Sequence, residues 1–401
     1  MEHDKNTVPK TIVVSDDMVE EIFQHLPIKS LTKFKILSKE CRGMIESTHF
    51  SHKRLVHKGL PSPNMKSLVV SQQLSAKFHK EDSNSTTLRL DTFSGEDYDN
   101  KKYCPSSSSY YTFPDDPVDK SQNKTIQVLG SCDGLVLIRI YDDFRYIYLI
   151  NPTTKEHITL FPEFSQWPVN FNFTENRTRG QVSQSIFSYE GELLKIMPFL
   201  AGFGKDIVTK SYKVVLIYSR PRNCVFFKTK VISLDNGEQR DADFSTLEVR
   251  EFCEEQTSVY ANGSLFWLTL DKRRQTLDMV LAIDLHTEKF RWIMLPVCYT
   301  NDATRVEMWN LNDQLCLANV QNSSHVDVWS LQEQNPTEDI WERIYSIDIK
   351  RTSQLPTKFW MLGLAALYFP SIDKSRGRDP FVRQRMISYS PTMISPSSLM
   401  L

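Results

Sequence analysis

Short apolar runs alternate with turn residues from about residue 126 to the end of the chain. The runs 135–140, 146–150 and 212–218 are rich in β-branched and aliphatic residues, and turn pairs such as Asp133-Gly134 stand between runs. Short runs of this composition, bounded by turn pairs, are typical of antiparallel strands. The pattern therefore predicts an all-β architecture for the larger part of the chain.

A weak internal repeat within this region predicts a β-propeller. A turn followed by an apolar strand recurs at Asp133-Gly134, Asn262-Gly263 and Asn312-Asp313. Later blocks recur at roughly 50 residues, which falls in the propeller range of ~40–50 residues per blade. Over residues 60–401, less the polar insertion described below, about six blades would fit at this period. The last residues, 396–401, are predicted to be a tail.

Residues 80–125 differ from the rest of this region because they are polar, low in complexity and without apolar periodicity. The stretches 81–87 and 106–109 consist entirely of polar residues. Chain segments of this composition bury too little apolar surface to become ordered. We therefore predict a long, mobile insertion between two strands.

The N-terminal region has a different pattern, since its apolar residues recur at helical spacing. After a disordered tail over 1–10, residues 11–58 are predicted to form two or three short helices with one apolar side. Ser15 and Asp17 are both suited to cap the first helix, because their side-chain oxygens accept hydrogen bonds from free backbone amides, and Pro27 ends it. A unit of fewer than ~60 residues buries too little surface to be robust alone, so we expect it to pack on something else.

Charge and composition exclude several classes of function. Lys and Arg number 48 against 49 Asp and Glu, so no basic excess favours binding to nucleic acid. Residues 1–30 hold no secretory signal, and the longest apolar run, 359–369, is shorter than the ~20 residues that span a membrane. The seven cysteines form no Cys-x-x-Cys pair, which argues against structural zinc and disulfides and indicates a reducing compartment, the cytoplasm or the nucleus.

Two motifs with the spacing of chemical sites are better explained by structure. Gly130, Cys132 and Gly134 have the spacing of a nucleophile elbow, but strand runs lie on both sides, so a hairpin turn is the better interpretation. His49 and Glu46 lack the further ligands that a metal site needs. The sequence therefore predicts no catalytic residue, no metal site and no cofactor.

Residues 11–57 resemble an F-box. The resemblance is carried by Asp17-Met18-Val19-Glu20-Glu21-Ile22-Phe23, by Leu26-Pro27-Ile28-Lys29-Ser30-Leu31 and by Phe34-Lys35-Ile36-Leu37-Ser38-Lys39. Two positions depart from the family pattern, since Val14-Ser15 stands where the family has Leu-Pro, and Cys41 stands where it has Trp. The resemblance implies docking to a Skp-type adaptor, and the departures imply a reduced affinity or a preference for another adaptor paralogue.

The β region is similar to the plant F-box-associated domain. The similarity is carried by an ordered series of motifs, among them 129–136, Asn151-Pro152-Thr153-Thr154, 202–206, Asn262-Gly263-Ser264-Leu265-Phe266-Trp267 and Val328-Trp329-Ser330-Leu331. Together the two resemblances imply an α+β multidomain chain, in which a small all-α F-box domain (11–58) precedes a large all-β, propeller-like domain (60–395). They imply the substrate-recognition subunit of a Skp–cullin–F-box ubiquitin ligase, which links the adaptor, and through it a cullin, to an unidentified target protein.

Six apolar residues are the predicted adaptor contacts, and four lysines form a predicted cationic rim around them. The contacts are Met18, Ile22, Leu26, Pro27, Leu31 and Phe34, and the rim is Lys29, Lys33, Lys35 and Lys39. An apolar helical surface is buried when a partner docks on it, and a charged rim steers the encounter. The same residues could instead form an internal core, and apolar periodicity alone does not separate these two interpretations.

Two other functions stay open at the level of sequence. One is an F-box scaffold or regulator that acts outside the ligase, because Val14-Ser15 and Cys41 weaken the docking motif. The other is an enzyme on a β-propeller, which no acid–base pair or metal cluster in the sequence favours. The target-binding residues are unknown. Aromatic and basic residues at 167–179 and 110–113 suit an interface, but such residues within a β fold more often pack in the core.

Overall fold

The computed structural model consists of an N-terminal helical unit followed by antiparallel sheets, which confirms the predicted fold class. The structure describes residues 15–57, 66–73, 85–93, 107–114, 126–140, 147–160, 186–189, 192–195, 200–219, 227–242, 251–252, 257–271, 276–296, 306–321, 325–332, 339–348, 381–389 and 392–399.

Four short helices form the N-terminal unit, residues 15–57, which we call the F-box unit after the family that it resembles. They are α1 (Asp16–His25), α2 (Ile28–Phe34), α3 (Lys39–Glu46) and α4 (Thr48–His57), against the two or three helices predicted. Of the two candidate caps, Ser15 is the one that caps α1, because its Oγ accepts a hydrogen bond from the Met18 amide at 3.4 Å. Pro27 lies between α1 and α2, and α1 ends before it as predicted.

The strands form five sheets of four or five strands and one two-stranded sheet within the described ranges. The first sheet contains β23 (Phe381–Tyr389), β1 (Lys66–Gln73), β2 (Ser85–Phe93) and β3 (Ser107–Pro114), and the second contains β4 (Ile126–Cys132), β5 (Leu135–Ile140), β6 (Ile147–Asn151) and β7 (Glu156–Leu160). The two-stranded sheet is β8 (Ile186–Tyr189) with β9 (Glu192–Lys195).

The third, fourth and fifth sheets follow in chain order. The third contains β10 (Leu200–Lys205), β11 (Tyr212–Ser219), β12 (Phe227–Ser233) and β13 (Gln239–Ala242). The fourth contains β14 (Glu251–Phe252), β15 (Val259–Ala261), β16 (Ser264–Asp271), β17 (Thr276–Asp284) and β18 (Phe290–Met294). The fifth contains β19 (Val306–Leu311), β20 (Gln314–Gln321), β21 (His325–Gln332) and β22 (Ile340–Asp348).

One strand of each of the five larger sheets contacts its counterparts in a ring, in the order β23, β4, β10, β15, β19 and back to β23. The two ends of the β domain meet in the first sheet, where its last strand, β23, pairs antiparallel with its first strand, β1. This arrangement is propeller-like, as predicted. The spacing of the sequence motifs predicted about six blades, whereas the described residues contain five such sheets, with the β8–β9 pair lying between the second and the third along the chain.

The prediction of an insertion without regular structure over 80–125 is wrong for two segments. Strands β2 and β3 lie within this range, pair with each other and belong to the first sheet. Leu88 and Leu90 of β2, with Tyr111 and Phe113 of β3, are buried in a core that the first and second sheets share. Only alternate residues of a strand face such a core, so polar residues at intervening positions, such as Arg89, Asp91 and Thr112, make the segment look polar overall.

Hydrogen bonds also join two sheets that are not neighbours in the ring. Strand β4 has an irregularity between Val128 and Gly130, which leaves Leu129 out of the ladder with β5. The Leu129 carbonyl instead accepts hydrogen bonds from the Ser258 amide at 3.2 Å and the Ser258 hydroxyl at 2.7 Å. The Thr257 hydroxyl donates to the Val128 carbonyl at 2.9 Å. Because these two residues lead into β15, the second and fourth sheets are held together directly.

Gly202 in β10 is required by the close packing of the third sheet on the fourth. A Cβ atom at this position would lie 2.6 Å from Cζ2 of Trp267 and 2.8 Å from Cδ1 of Leu265, and both of these side chains are buried. We expect Gly202→Ala to lower the free energy of unfolding by about 1–3 kcal/mol, the usual cost of overpacking a core.

Denaturation in urea measures this effect, and Gly43→Ala is the matched control. A Cβ atom at Gly43 in α3 would meet nothing within 4 Å, so the control should raise the free energy of unfolding by about 0.5–1 kcal/mol through helix propensity. Equal stabilities of the two variants would contradict the packing argument.

Candidate functional site

The F-box unit exposes a concentration of large apolar side chains. Ten large hydrophobic residues are exposed in the described part of the chain, and four of them lie within residues 15–57. Met18 and Ile22 in α1 are 60% and 54% exposed, and Ile36 and Leu37 in the α2–α3 connection are 85% and 67% exposed. Apolar groups left in water on so small a unit indicate a surface that a partner covers.

Met18 and Ile22 share one face of α1, because they lie four residues apart, about one turn of helix. Pro27, which follows α1, is exposed as well. Together with Ile36 and Leu37 these residues form what we call the exposed apolar set. Three of the six predicted adaptor contacts, Met18, Ile22 and Pro27, therefore lie where a partner can reach them.

Leu31, by contrast, is fully buried. Its side chain lies in the core of the F-box unit with Phe23, Ile45 and Phe50, since α2 turns this residue toward the other helices. The prediction that Leu31 is exposed to the adaptor is therefore wrong, and Leu31 is a core residue. The two interpretations that the sequence left open, core and interface, apply to different members of the same apolar pattern.

Leu26 and Phe34, the remaining predicted contacts, are half-buried at the margin of this core. The ring of Phe34 packs on that of Phe23 with centroids 5.3 Å apart, which fixes α2 against α1. Cys41, at the position of the family's Trp, is also half-buried against the core. Each of these residues divides its surface between the core and the solvent.

Arg54 in α4 holds the end of α1 in place. Its buried guanidinium donates hydrogen bonds to the carbonyls of Phe23 at 3.0 Å and Gln24 at 2.7 Å, and also to that of Leu26. The last carbonyls of a helix lack the usual partner in the next turn. The Phe23 carbonyl also accepts a hydrogen bond from the Leu26 amide, and Arg54 gives the carbonyls of Gln24 and Leu26 a donor. The bonds from Arg54 also fix the position of the turn at Leu26 and Pro27, next to the exposed apolar set.

The predicted cationic rim is only partly available. Lys33 and Lys39 are exposed. Lys35 is paired within the F-box unit, since its Nζ lies 3.3 Å from Oε1 of Glu46. The side chain of Lys29 lies outside the described residues. The rim therefore rests on Lys33 and Lys39.

Ile36 and Leu37 were not among the predicted contacts, although their position in the sequence carried a signal. They lie between the end of α2 and Ser38, which caps α3 by accepting a hydrogen bond from the Cys41 amide at 3.0 Å. Two consecutive aliphatic residues in a short connection have no helix face on which both can be buried. Exposed apolar residues in this place indicate a binding role.

A buried ion network lies where the third and fourth sheets meet. Nζ of Lys213 is 3.3 Å from Oδ2 of Asp206 and 3.0 Å from Oε1 of Glu288, and it donates to the Leu285 carbonyl. Burial raises the pKa of Asp206. Hydrogen bonds from Val208, Thr209 and His286 outweigh the effect of burial and hold this pKa well below its ordinary value. The network joins the β10–β11 turn to the β17–β18 turn, so we assign it a structural role.

The elbow-like motif is a hairpin, as predicted. Asp133 and Gly134 form the turn between β4 and β5 with φ angles of 49° and 77°. Cys132 is buried, and desolvation raises the pKa of its thiol well above the ordinary value, which is the opposite of what a nucleophile needs. Within the described ranges, no group of three His, Cys, Asp or Glu residues is placed to hold a metal ion.

The aromatic stretches considered as target contacts have different outcomes. Tyr111 and Phe113 are buried between the first two sheets, whereas Tyr110 is exposed. The stretch 167–179 lies outside the described residues. None of the helices that the structure describes has both the length and the apolar character to cross a membrane.

These features define a protein of two modules, a helical unit with an exposed apolar surface and a propeller-like domain. The F-box domain model matches residues 14–53, and the model of the F-box associated beta propeller domain matches residues 92–370. The chain therefore belongs to the F-box proteins that carry an F-box associated beta propeller domain.

Relatives in Arabidopsis thaliana support this assignment. An F-box protein of that plant is 60% identical over 408 residues, with 100% of both chains covered. A second is 30% identical, with 83% of this chain and 62% of the relative covered. A third is 29% identical, with 88% of this chain and 73% of the relative covered. The resemblance noted in the sequence is thus confirmed for both modules.

Proposed function

We propose that this protein is the substrate-recognition subunit of a Skp–cullin–F-box ubiquitin ligase. In this proposal the F-box unit docks a Skp-type adaptor, the adaptor links it to a cullin, and the propeller-like domain holds a target protein. The observation that carries the proposal is the exposed apolar set, which lies outside the core that Leu31, Ile45 and Phe50 form. Membership of the F-box family gives this surface its expected partner.

Docking would be driven by burial of the exposed apolar set. A standard interface buries ~800 Å² on each partner, and full burial of one Ile, Leu or Met side chain contributes about 1.5–3 kcal/mol. Ile36 and Leu37 therefore offer as much as the two α1 residues. Lys33 and Lys39 would speed the encounter with an acidic adaptor. Added salt would reduce this gain in association rate.

The chain itself would perform no chemistry. It would raise the concentration of target lysines near a ubiquitin-charged enzyme that is bound elsewhere on the ligase, as tethering does in any multivalent assembly. Loops of the β domain would select the target, since loops on a rigid scaffold carry most binding functions.

A scaffold that acts outside the ligase is the second candidate. The observation that favours it is Cys41, whose side chain gives the margin of the F-box core less apolar area than the family's Trp. A weaker docking module would hold the adaptor, and through it a cullin, too briefly to support ubiquitin transfer.

Co-expression of the full chain with a Skp-type adaptor tests these proposals. We expect the two proteins to elute together in size-exclusion chromatography and to retain a cullin when it is added. Retention of the adaptor without the cullin would favour the scaffold. Elution of a folded chain apart from the adaptor would contradict both docking proposals.

A further inference from the structure

The F-box unit takes one of its core residues from the far end of the chain. Met393 is buried in the cluster that contains Phe23, Leu31, Ile45 and Phe50. It follows β23, the last strand of the first sheet, and lies more than 300 residues beyond α4 along the chain. The core of the F-box unit is therefore completed by the segment that leaves the propeller-like domain.

The neighbours of Met393 are anchored in the propeller-like domain instead. Ile394 and Leu399 are buried in the core that the second and third sheets share, among residues such as Leu149 and Leu160. Residues Pro396–Leu399, which were predicted to belong to a tail outside the β domain, instead form a short 3-10 helix that packs against β6 and β7. Consecutive side chains at 393 and 394 thus enter the cores of two different modules.

Hydrogen bonds fix the same segment to the second sheet. Asn151, at the end of β6, is fully buried, and its Nδ2 donates to the carbonyls of Thr392 at 3.2 Å and Ile394 at 2.7 Å. Its Oδ1 accepts hydrogen bonds from the amides of Thr153 and Thr154 at 2.8 Å and 3.2 Å. The backbone amides of Thr153 and Thr154 therefore orient the side-chain amide of Asn151. In this orientation its Nδ2 is held toward the two carbonyls that flank Met393.

We propose that residues 392–399 form a brace that fixes the orientation of the F-box unit on the propeller-like domain. The chain also connects the two modules through residues 58–65, so the brace is a second link that limits rotation about the first. The exposed apolar set stays exposed while Met393 is seated, so the brace leaves the proposed docking surface open. The proposal concerns this chain alone and does not depend on adaptor binding.

Distance measurements between the two modules test the brace. Nitroxide labels are attached through unnatural amino acids at Gly43 in α3 and Lys289 in the β17–β18 turn, both exposed, and double electron–electron resonance is recorded on the full chain. We expect one narrow distance distribution for the parent chain and at least a twofold broader one for Met393→Asp and for Asn151→Ala. Met393→Leu, which keeps the apolar contact, should keep the narrow distribution.

Circular dichroism of each variant separates release of the brace from unfolding. If Met393→Asp loses its helical signal, Asn151→Ala decides the matter, because its side-chain hydrogen bonds go to residues 392–394 and to the turn after β6. A folded Asn151→Ala variant with a broad distribution supports the brace. Parental widths in folded Asn151→Ala and Met393→Asp variants would overturn it, as would a broad distribution in the parent chain.

Discussion

Replacing Ile22 by glutamate is expected to weaken binding of a Skp-type adaptor by about 30-fold, which corresponds to about 2 kcal/mol. Ile22 is 54% exposed in the free chain, so its burial would contribute to binding without being needed for folding. A glutamate in its place removes that contribution and also brings a charge into the interface without a partner. Pro27→Glu should act in the same direction, because Pro27 is exposed at the end of the same helix.

Isothermal titration with purified adaptor measures the affinity, and thermal unfolding of each free variant shows whether it is folded. Val208→Glu is the matched control, since Val208 is an aliphatic residue of the β10–β11 turn that is exposed to a similar degree. We expect the control to bind like the parent chain. Parental affinity in Ile22→Glu and Pro27→Glu, at parental thermal stability, would contradict the docking proposal.

The difference between Leu31 and Leu37 illustrates what the sequence could and could not predict. The spacing of apolar residues predicted helices, and the structure has them. The same spacing could not tell that Leu31 faces the core and Leu37 the solvent, because both belong to one apolar pattern. Part of the answer lies in Met393, which enters the F-box core from the other end of the chain. No local pattern can indicate a contact at that separation.

In the β domain too, features that depend on local sequence were predicted, and features that depend on distant contacts were not. Asp133-Gly134 and Asn262-Gly263 were predicted as turns, and both join neighbouring strands with positive φ angles, because Asn, Asp and Gly tolerate that conformation. The pairing of β23 with β1 was not predicted, since strand register between distant segments depends on the assembled sheet. The strands within 80–125 were missed because only one face of each is apolar.

Replacing Lys213 by methionine is expected to lower the free energy of unfolding by about 3–5 kcal/mol, the cost of breaking a buried ion pair by removing one partner. Methionine fills a similar volume, so little of this loss would come from a cavity. Asp206 is buried in the same network, and its carboxylate would lose the cation that lies 3.3 Å away. Glu288 would keep a partner, since Nη2 of Arg240 lies 2.9 Å from its carboxylate.

Urea denaturation of the full chain measures this loss, and two controls separate burial from charge. Lys289→Met removes an exposed lysine from the β17–β18 turn and should change stability by less than about 0.5 kcal/mol. Arg240→Met breaks the exposed end of the network and should cost no more than about 1 kcal/mol. A loss of unfolding free energy in Lys213→Met no larger than in these controls would contradict the role of the network in joining the third and fourth sheets. Apolar packing alone would then hold the two sheets together.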